Sequence, residues 1–149
     1  MTRARAAPSF DTLRPASERA SKAKQQCTSK GTKPEVLLRR KLWEMGYRYR
    51  LHARDLPGKP DLVFRRQRVA VFVDGDFWHG RDWGHRSQRL ASGHNAAYWH
   101  SKIAYNIERD AKHTAELQRT GWRVLRLWET DIRKSPDDAA RRVISLMRR

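Results

Sequence analysis

The chain has 149 residues, 33 of them Lys or Arg against 16 acidic, for a formal charge of +17. That length suits one domain with a proper core, and the charge makes nucleic acid the first expected partner and an anionic membrane the second. A membrane is disfavoured, because no run of about 20 apolar residues exists and no helix sets a basic face against a greasy one. The first thirty residues also lack the apolar stretch of a secretory signal. The lone cysteine, Cys27, excludes an intrachain disulfide and cysteine-rich zinc modules. It points to a reducing cytosol, near the nucleoid if DNA is the partner.

Residues 1–30, rich in Arg, Ala, Ser, Lys and Gln, read as a flexible basic arm preceding one domain over 31–149. Such an arm either keeps the protein soluble or tracks phosphates. "GTKPEVLLRRKLWEMG" predicts the first helix, with Thr32 as N-cap, Glu35 completing a capping box and Gly46 as the stop. Leu38, Leu42 and Met45 fall on its inner face. "YRYRLH", Tyr47 to His52, alternates as a half-exposed strand. After the turn "DLPGKP", the runs "DLVF" and "RVAVFV" predict an antiparallel hairpin, and Val69 to Val73 is apolar on both faces, as in a covered central strand. Residues 80–95 read as a loop. A long helix follows from about Ala96 to Thr120, with Ala104, Ile107, Ala111 and Ala115 on its inner face. "WRVLRLWE" reads as a fourth strand, and "SPDDAARRVISLMRR" as a terminal helix capped by Ser135. The order α-β-β-β-α-β-α predicts an α/β fold, a central mixed sheet of about four strands flanked by helices.

The segment "LPGKPDLVFRRQRVAVFVDGDFWHG" gathers carboxylates in a strongly basic chain. Carboxylates repel phosphates, so a protein that only gripped nucleic acid would keep them away from the contact. Asp61 opens one strand of the hairpin and Asp74 ends the other, so the two should lie near each other. Close carboxylates are costly unless a cation sits between them, and all-oxygen donors favour Mg²⁺. The alternative is that Asp61 caps the Gly58-Lys59-Pro60 turn. His79 has the acidity to take a proton from water at neutral pH, or it is a surface or packing residue. Phe77 and Trp78 are adjacent, so a regular strand would point them to opposite faces. Either they wedge into a duplex, or one packs in the core and the other on the following loop. Glu35 has a complete capping explanation. Asp110 lies at the margin of the inner face of its helix, while Glu108 suits an exposed pair with Lys112.

"TKPE", "LPGKPDLVF", "VFVDGDFWHG", "NIERD" and "GWRVLRLWE" stand in the order found in the very short patch repair (Vsr-like) DNA mismatch endonucleases, which this chain resembles from about Ser29 to Ile132. The resemblance implies a restriction-endonuclease-like core and Mg²⁺-dependent nicking of one DNA strand at T:G mismatches. It implies Asp61 as a metal ligand, the Val73 carbonyl as another, and His79 as the catalytic base. Glu35 and Asp110 would orient waters or a histidine, and Phe77 and Trp78 would intercalate. Departures from the family pattern are Val73 where threonine is common, and Asp74 where some members carry a second histidine. The family's structural zinc is held by cysteines and a histidine. Asp76, Arg81, Trp83 and Thr130 stand around those positions here, so no structural zinc is expected. The arm also lacks a counterpart of the family's wedging methionine.

The sequence thus leads to a monomeric endodeoxyribonuclease acting on double-stranded DNA with one or two Mg²⁺ ions. Asp61, Asp74, His79, Glu35 and Asp110 are the expected catalytic set, Asp61, Val73 and Asp74 the metal ligands, and Phe77, Trp78, Lys59 and Arg81 the DNA contacts. The alternatives are a related nuclease of changed specificity in restriction or phage defence, and a non-catalytic DNA-binding subunit on the same scaffold.

Overall fold

The computed structural model describes residues 31–90 and 95–149, so the arm at 1–30 lies outside the described residues. The elements are α1 (Lys33–Glu44), β1 (Arg50–Leu51), β2 (Leu62–Phe64), β3 (Val69–Asp74), α2 (Trp83–Leu90), α3 (Ala96–Arg119), β4 (Arg123–Trp128), α4 (Glu129–Lys134) and α5 (Pro136–Met147). The four strands form one mixed sheet in the order β1-β2-β3-β4. β1, β2 and β3 are antiparallel neighbours, and β4 joins β3 in parallel after the crossover through α2 and α3. Among the described residues no helix is long and apolar enough to cross a membrane.

Alternation along β3 divides the core in two. Val69 and Val71 pack with Leu38 and Leu42 of α1, Leu127 of β4, Ile132 of α4, and Val143 and Ile144 of α5. Ala70 and Phe72 face the other way, onto Leu117 of α3. The sheet is therefore covered by α1, α4 and α5 on one side and α3 on the other, which is why its central strand reads as continuously apolar. The α/β class and the hairpin agree with the sequence reading. The parallel pairing places the C-terminal end of β3 beside that of β4, and the antiparallel pairing brings the start of β2 to the same place. In open α/β sheets this carboxyl end is where ligands bind.

Several local expectations are corrected. Among the described residues there are two further helices, α2 within the region read as a loop and α4 immediately after β4. Thr32 occupies the N-cap position of α1 but its side chain makes no capping bond. Instead the Glu35 carboxylate accepts the N–H of Gly31 at 2.9 Å, so the capping box is not the one expected. Met45 is 42% exposed, because α1 ends at Glu44 and Gly46, at φ +90°, turns the chain away. In α3 the buried residues are Ile103, Asn106 and Leu117, not the alanine line. Small alanines mark no particular face. The helix is instead oriented by Leu117 on the sheet and by Asn106, whose Nδ2 donates to the Trp78 carbonyl at 2.8 Å.

Gly80 lets the loop after β3 reach α3. Its φ is +76°, and a Cβ there would press into Ile107, 2.7 Å from its Cγ1. Gly80→Ala is expected to lower the unfolding free energy by about 1–3 kcal/mol, read from urea denaturation. An unchanged midpoint would show that the loop does not need this close approach.

Candidate active site

Pro60 interrupts the ladder where β2 begins. The register Leu62↔Val71 continued outward brings Pro60 opposite Val73, and proline has no N–H to offer. The Asp61 side chain fills the gap, its Oδ2 accepting the Val73 N–H at 2.7 Å. In a strand the N–H and C=O of one residue point to the same edge. The Val73 carbonyl therefore faces the edge where the Asp61 carboxylate sits.

Two histidine–carboxylate groups flank this junction. In the first, the ligand atoms of Glu35, His52 and Asp61 lie within 4.8 Å of one another. His52 Nε2 is 3.3 Å from Glu35 Oε1, and its Nδ1 is 4.0 Å from Asp61 Oδ1. Glu35 is fully buried and also accepts from Arg39 at 3.3 Å. In the second, Asp74, His79 and Asp110 are equally close. Asp110 Oδ2 is 2.5 Å from His79 Nδ1, and Asp74 Oδ1 is 3.7 Å from the same nitrogen. An ionised carboxylate only accepts, so Nδ1 carries the proton and Nε2 is left to exchange one.

A cleft of about 510 Å³ opens over both groups. His52, Lys59, Asp61, Val73, Asp74, His79 and Asp110 line it, and Arg54 and Arg109 add positive charge. Glu35 reaches it through His52. The arrangement is acidic at the floor and basic at the walls, as a site that receives a phosphate together with a cation requires.

The electrostatics follow from this crowding. Burial, reinforced by the charges of Glu35 and Asp74, pushes Asp61 up to about 7, against the pull of the Val73 N–H and of His79. Burial also raises Asp74, although His79 and Arg126 act in the opposite direction. For His79 burial works against the charged form, but the Asp110 hydrogen bond and the Asp74 and Asp110 charges outweigh it and raise the group above 6.5. Burial likewise opposes ionisation of Asp110, yet His79, Arg126 and Arg109 hold it below the usual carboxylate range.

Three of the expected DNA contacts are placed elsewhere than the cleft. Arg81 pairs with Asp131 at 3.0 Å and Asp76 at 3.7 Å. Asp76 also bonds the Thr130 hydroxyl, so a polar network occupies the region where the family would build its zinc site. Phe77 and Trp78 are half-buried, edge-on to each other at 5.3 Å and grouped with Trp99. Lys59 alone of the four is exposed on the cleft rim. Sequence reasoning missed His52 and Arg126. A signal for His52 was available: the β1–β2 pairing, extended by one residue, sets it beside Asp61, whose carbonyl accepts the His52 N–H at 3.1 Å.

Residues 11–85 match the model of the family described as DNA mismatch endonuclease Vsr. The chain is 43% identical over 139 residues to the type II nicking enzyme V.NmeDIP of Neisseria meningitidis serogroup C, covering 93% of this chain and 91% of that protein. It is 43% identical over 128 residues to the type II nicking enzyme V.HpaIIP of Haemophilus parainfluenzae, covering 86% and 89%. With the DNA mismatch endonuclease Vsr of Escherichia coli (strain K12) the identity is 34% over 113 residues, covering 76% and 70%. The chain belongs to the Vsr family and is an endodeoxyribonuclease; its substrate is DNA.

The cost of ionising the buried Asp61 should be visible in stability. Its folded value of about 7 lies above the unfolded 3.8. The stability it contributes is therefore fully present below about pH 4 and lost as pH rises through 7. Asp61→Asn keeps an oxygen for the Val73 N–H but cannot ionise. In EDTA at pH 8 it should be more stable than the unmutated protein by on the order of 2–4 kcal/mol, with a smaller gap at pH 5. Urea denaturation at the two pH values tests this; an equal gap at both would show that Asp61 ionises without penalty.

Proposed function

We propose that this endonuclease is Mg²⁺-dependent and nicks one strand of duplex DNA beside a T:G mismatch. The observation that carries the chemistry is the His79–Asp110 pair at 2.5 Å, in the same cleft as the buried Asp61 carboxylate. The mismatch preference is supported by family membership and by the printed name of the Escherichia coli relative. The names of the type II nicking enzymes support cutting of a single strand.

The donor set fits a hard divalent cation. Asp61 is buried beside Glu35 and Asp74, whose charges oppose its ionisation, and a carbonyl oxygen lies on the same strand edge, so an oxygen-seeking cation relieves the repulsion. Asp61 and the Val73 carbonyl would hold the ion, with Asp74 beside them. When bound, Mg²⁺ polarises the scissile phosphate and offsets the charge that develops on it. Glu35 acts through His52, which it holds against Asp61.

His79 serves as general base. Asp110 takes the Nδ1–H bond and so fixes the ring and its tautomer, leaving Nε2 to accept a proton from the attacking water. The water oxygen joins phosphorus, the bond to the leaving sugar oxygen breaks, and that oxygen gains a proton from solvent. One phosphate monoester and one hydroxyl result. Lys59, Arg54 and Arg109 on the cleft wall neutralise the flanking phosphates. Phe77 and Trp78, held with Trp99, present the aromatic surface that meets the bases at the mismatch. Arg81 supports that region through Asp76 and Asp131.

The test is a nicking assay on end-labelled duplexes, one with a central T:G mismatch and one fully paired, in Mg²⁺ and in EDTA. Nicking in Mg²⁺ confined to the mismatched duplex is the expected result. Equal cutting of both duplexes would overturn the mismatch preference, and cutting in EDTA would overturn the metal requirement. Rate should rise with pH through the raised value of His79, so the acidic limb lies above 6.5. Asp110→Asn should move that limb to lower pH, because it removes the charge that favours imidazolium, and should cost roughly 10- to 100-fold in rate. An unmoved limb would mean that His79 is not the titrating base.

A further inference from the structure

Arg126 is placed by the alternation of β4. Leu127 enters the core beneath α1 and α5, so Arg126 must emerge on the face covered by α3, beside Phe72 in the parallel register. Its guanidinium carbon lies 4.0 Å from the centre of the Phe72 ring. Each of its three nitrogens donates to the protein. Nη1 donates to both oxygens of Asp74, at 3.1 Å each. Nε donates to the Thr114 hydroxyl at 2.9 Å, and Nη2 to the backbone carbonyl of Asp110 at 3.2 Å. Nη1 also lies 3.9 Å from Asp110 Oδ1. A guanidinium so engaged has little left to offer a phosphate, although it borders the cleft. Asp74 is the natural partner for such a fixed cation, being only 4% exposed.

From this geometry we propose that Arg126 is a positioning residue, a built-in cation that fastens the end of β3 to the middle of α3. It holds Asp74 and Asp110 on the Nδ1 side of His79, and it occupies the oxygens of Asp74 so that Asp74 works through Arg126 and His79 and not as a metal ligand. The idea deepens the assignment of His79 as base and rests on it. Lysine could supply the charge at this position but not the three-way fork, since a guanidinium bonds in several fixed directions and an ammonium acts as a point charge.

The test is a double-mutant cycle with Arg126→Met and Asp74→Asn, read in single-turnover nicking at saturating Mg²⁺. The Mg²⁺ concentration for half-maximal rate, DNA affinity and urea stability are measured on the same proteins. Nitrogen NMR of His79 without metal supplies a readout that does not depend on activity. Arg126→Met should slow the saturated rate roughly 100-fold, leave the Mg²⁺ requirement and DNA affinity within about twofold, and weaken the Nδ1–H signature of His79. The double variant should be no slower than Arg126→Met alone, because removing both charges leaves none stranded. Arg126→Lys should recover little of the rate. If Arg126→Met proves unfolded, that lysine variant carries the test.

Loss of DNA affinity with an unchanged saturated rate would overturn the proposal in favour of a phosphate contact. A tenfold rise in the Mg²⁺ requirement of Asp74→Asn would overturn it by making Asp74 a ligand. Two single defects that simply multiply, or an intact Nδ1–H signature in Arg126→Met, would also overturn it. Failure of the underlying base assignment has a different signature, namely His79→Ala nicking within a few-fold of the unmutated protein.

Discussion

The hydrogen bond from the Val73 N–H to the Asp61 carboxylate is the contact on which the rest of the site depends. It exists because Pro60 cannot continue the ladder, so a side chain must replace a backbone acceptor. The replacement joins the start of β2 to the end of β3 and fixes a carboxylate where burial resists its charge. The two hydrophobic layers hold the strands in this register from opposite faces. Displacement of either layer would move Asp61 and Val73 relative to each other. Stability and chemistry are thus in tension at one residue, which is common where function requires a charge to be desolvated.

Around that contact the protein sets charge of both signs in order. The chain is strongly basic, yet Glu35, Asp61, Asp74 and Asp110 converge at the carboxyl end of the sheet. His52 stands between Glu35 and Asp61, His79 turns its Nδ1 toward both Asp74 and Asp110, and Arg126 bonds the Asp74 carboxylate and the Asp110 backbone carbonyl. The basic residues Arg54, Lys59 and Arg109 are kept to the wall of the cleft. A phosphate approaching from solvent therefore meets cations first and carboxylates only at the floor. Under the proposed function this segregation explains how a DNA-cutting protein tolerates so much negative charge at its centre: the carboxylates would face the ion and His79, and the DNA would face Arg54, Lys59 and Arg109.

Much of this was legible in the sequence because it follows from strand register. Asp61 begins one strand and Asp74 ends its antiparallel neighbour, and that alone brings both to one end of the sheet. The fourth strand and the terminal helix were equally plain, the helix from Ser135, whose hydroxyl accepts the Asp138 N–H. Partners set by tertiary packing were not legible. Arg126 reads as an ordinary charge between leucines until the parallel register puts it beside Phe72. The inner face of α3 was misread because alanines report no direction, whereas Ile103, Asn106 and Leu117 do. Helix α2 was concealed by a glycine- and histidine-rich composition that suits a loop. Glu35 had a sufficient local explanation as a cap, which hid its close approach to His52.

The central claim is that one divalent cation site is built on Asp61 and the Val73 carbonyl, beside the His79–Asp110 pair. The most direct measurement is anomalous diffraction from crystals of the protein with duplex DNA and Mn²⁺, which marks the cation position independently of turnover. The account predicts a peak in contact with the Asp61 carboxylate and the Val73 carbonyl, with His79 still bonded to Asp110. A peak held instead by Asp74 and Asp110, with Asp61 turned away, would contradict it.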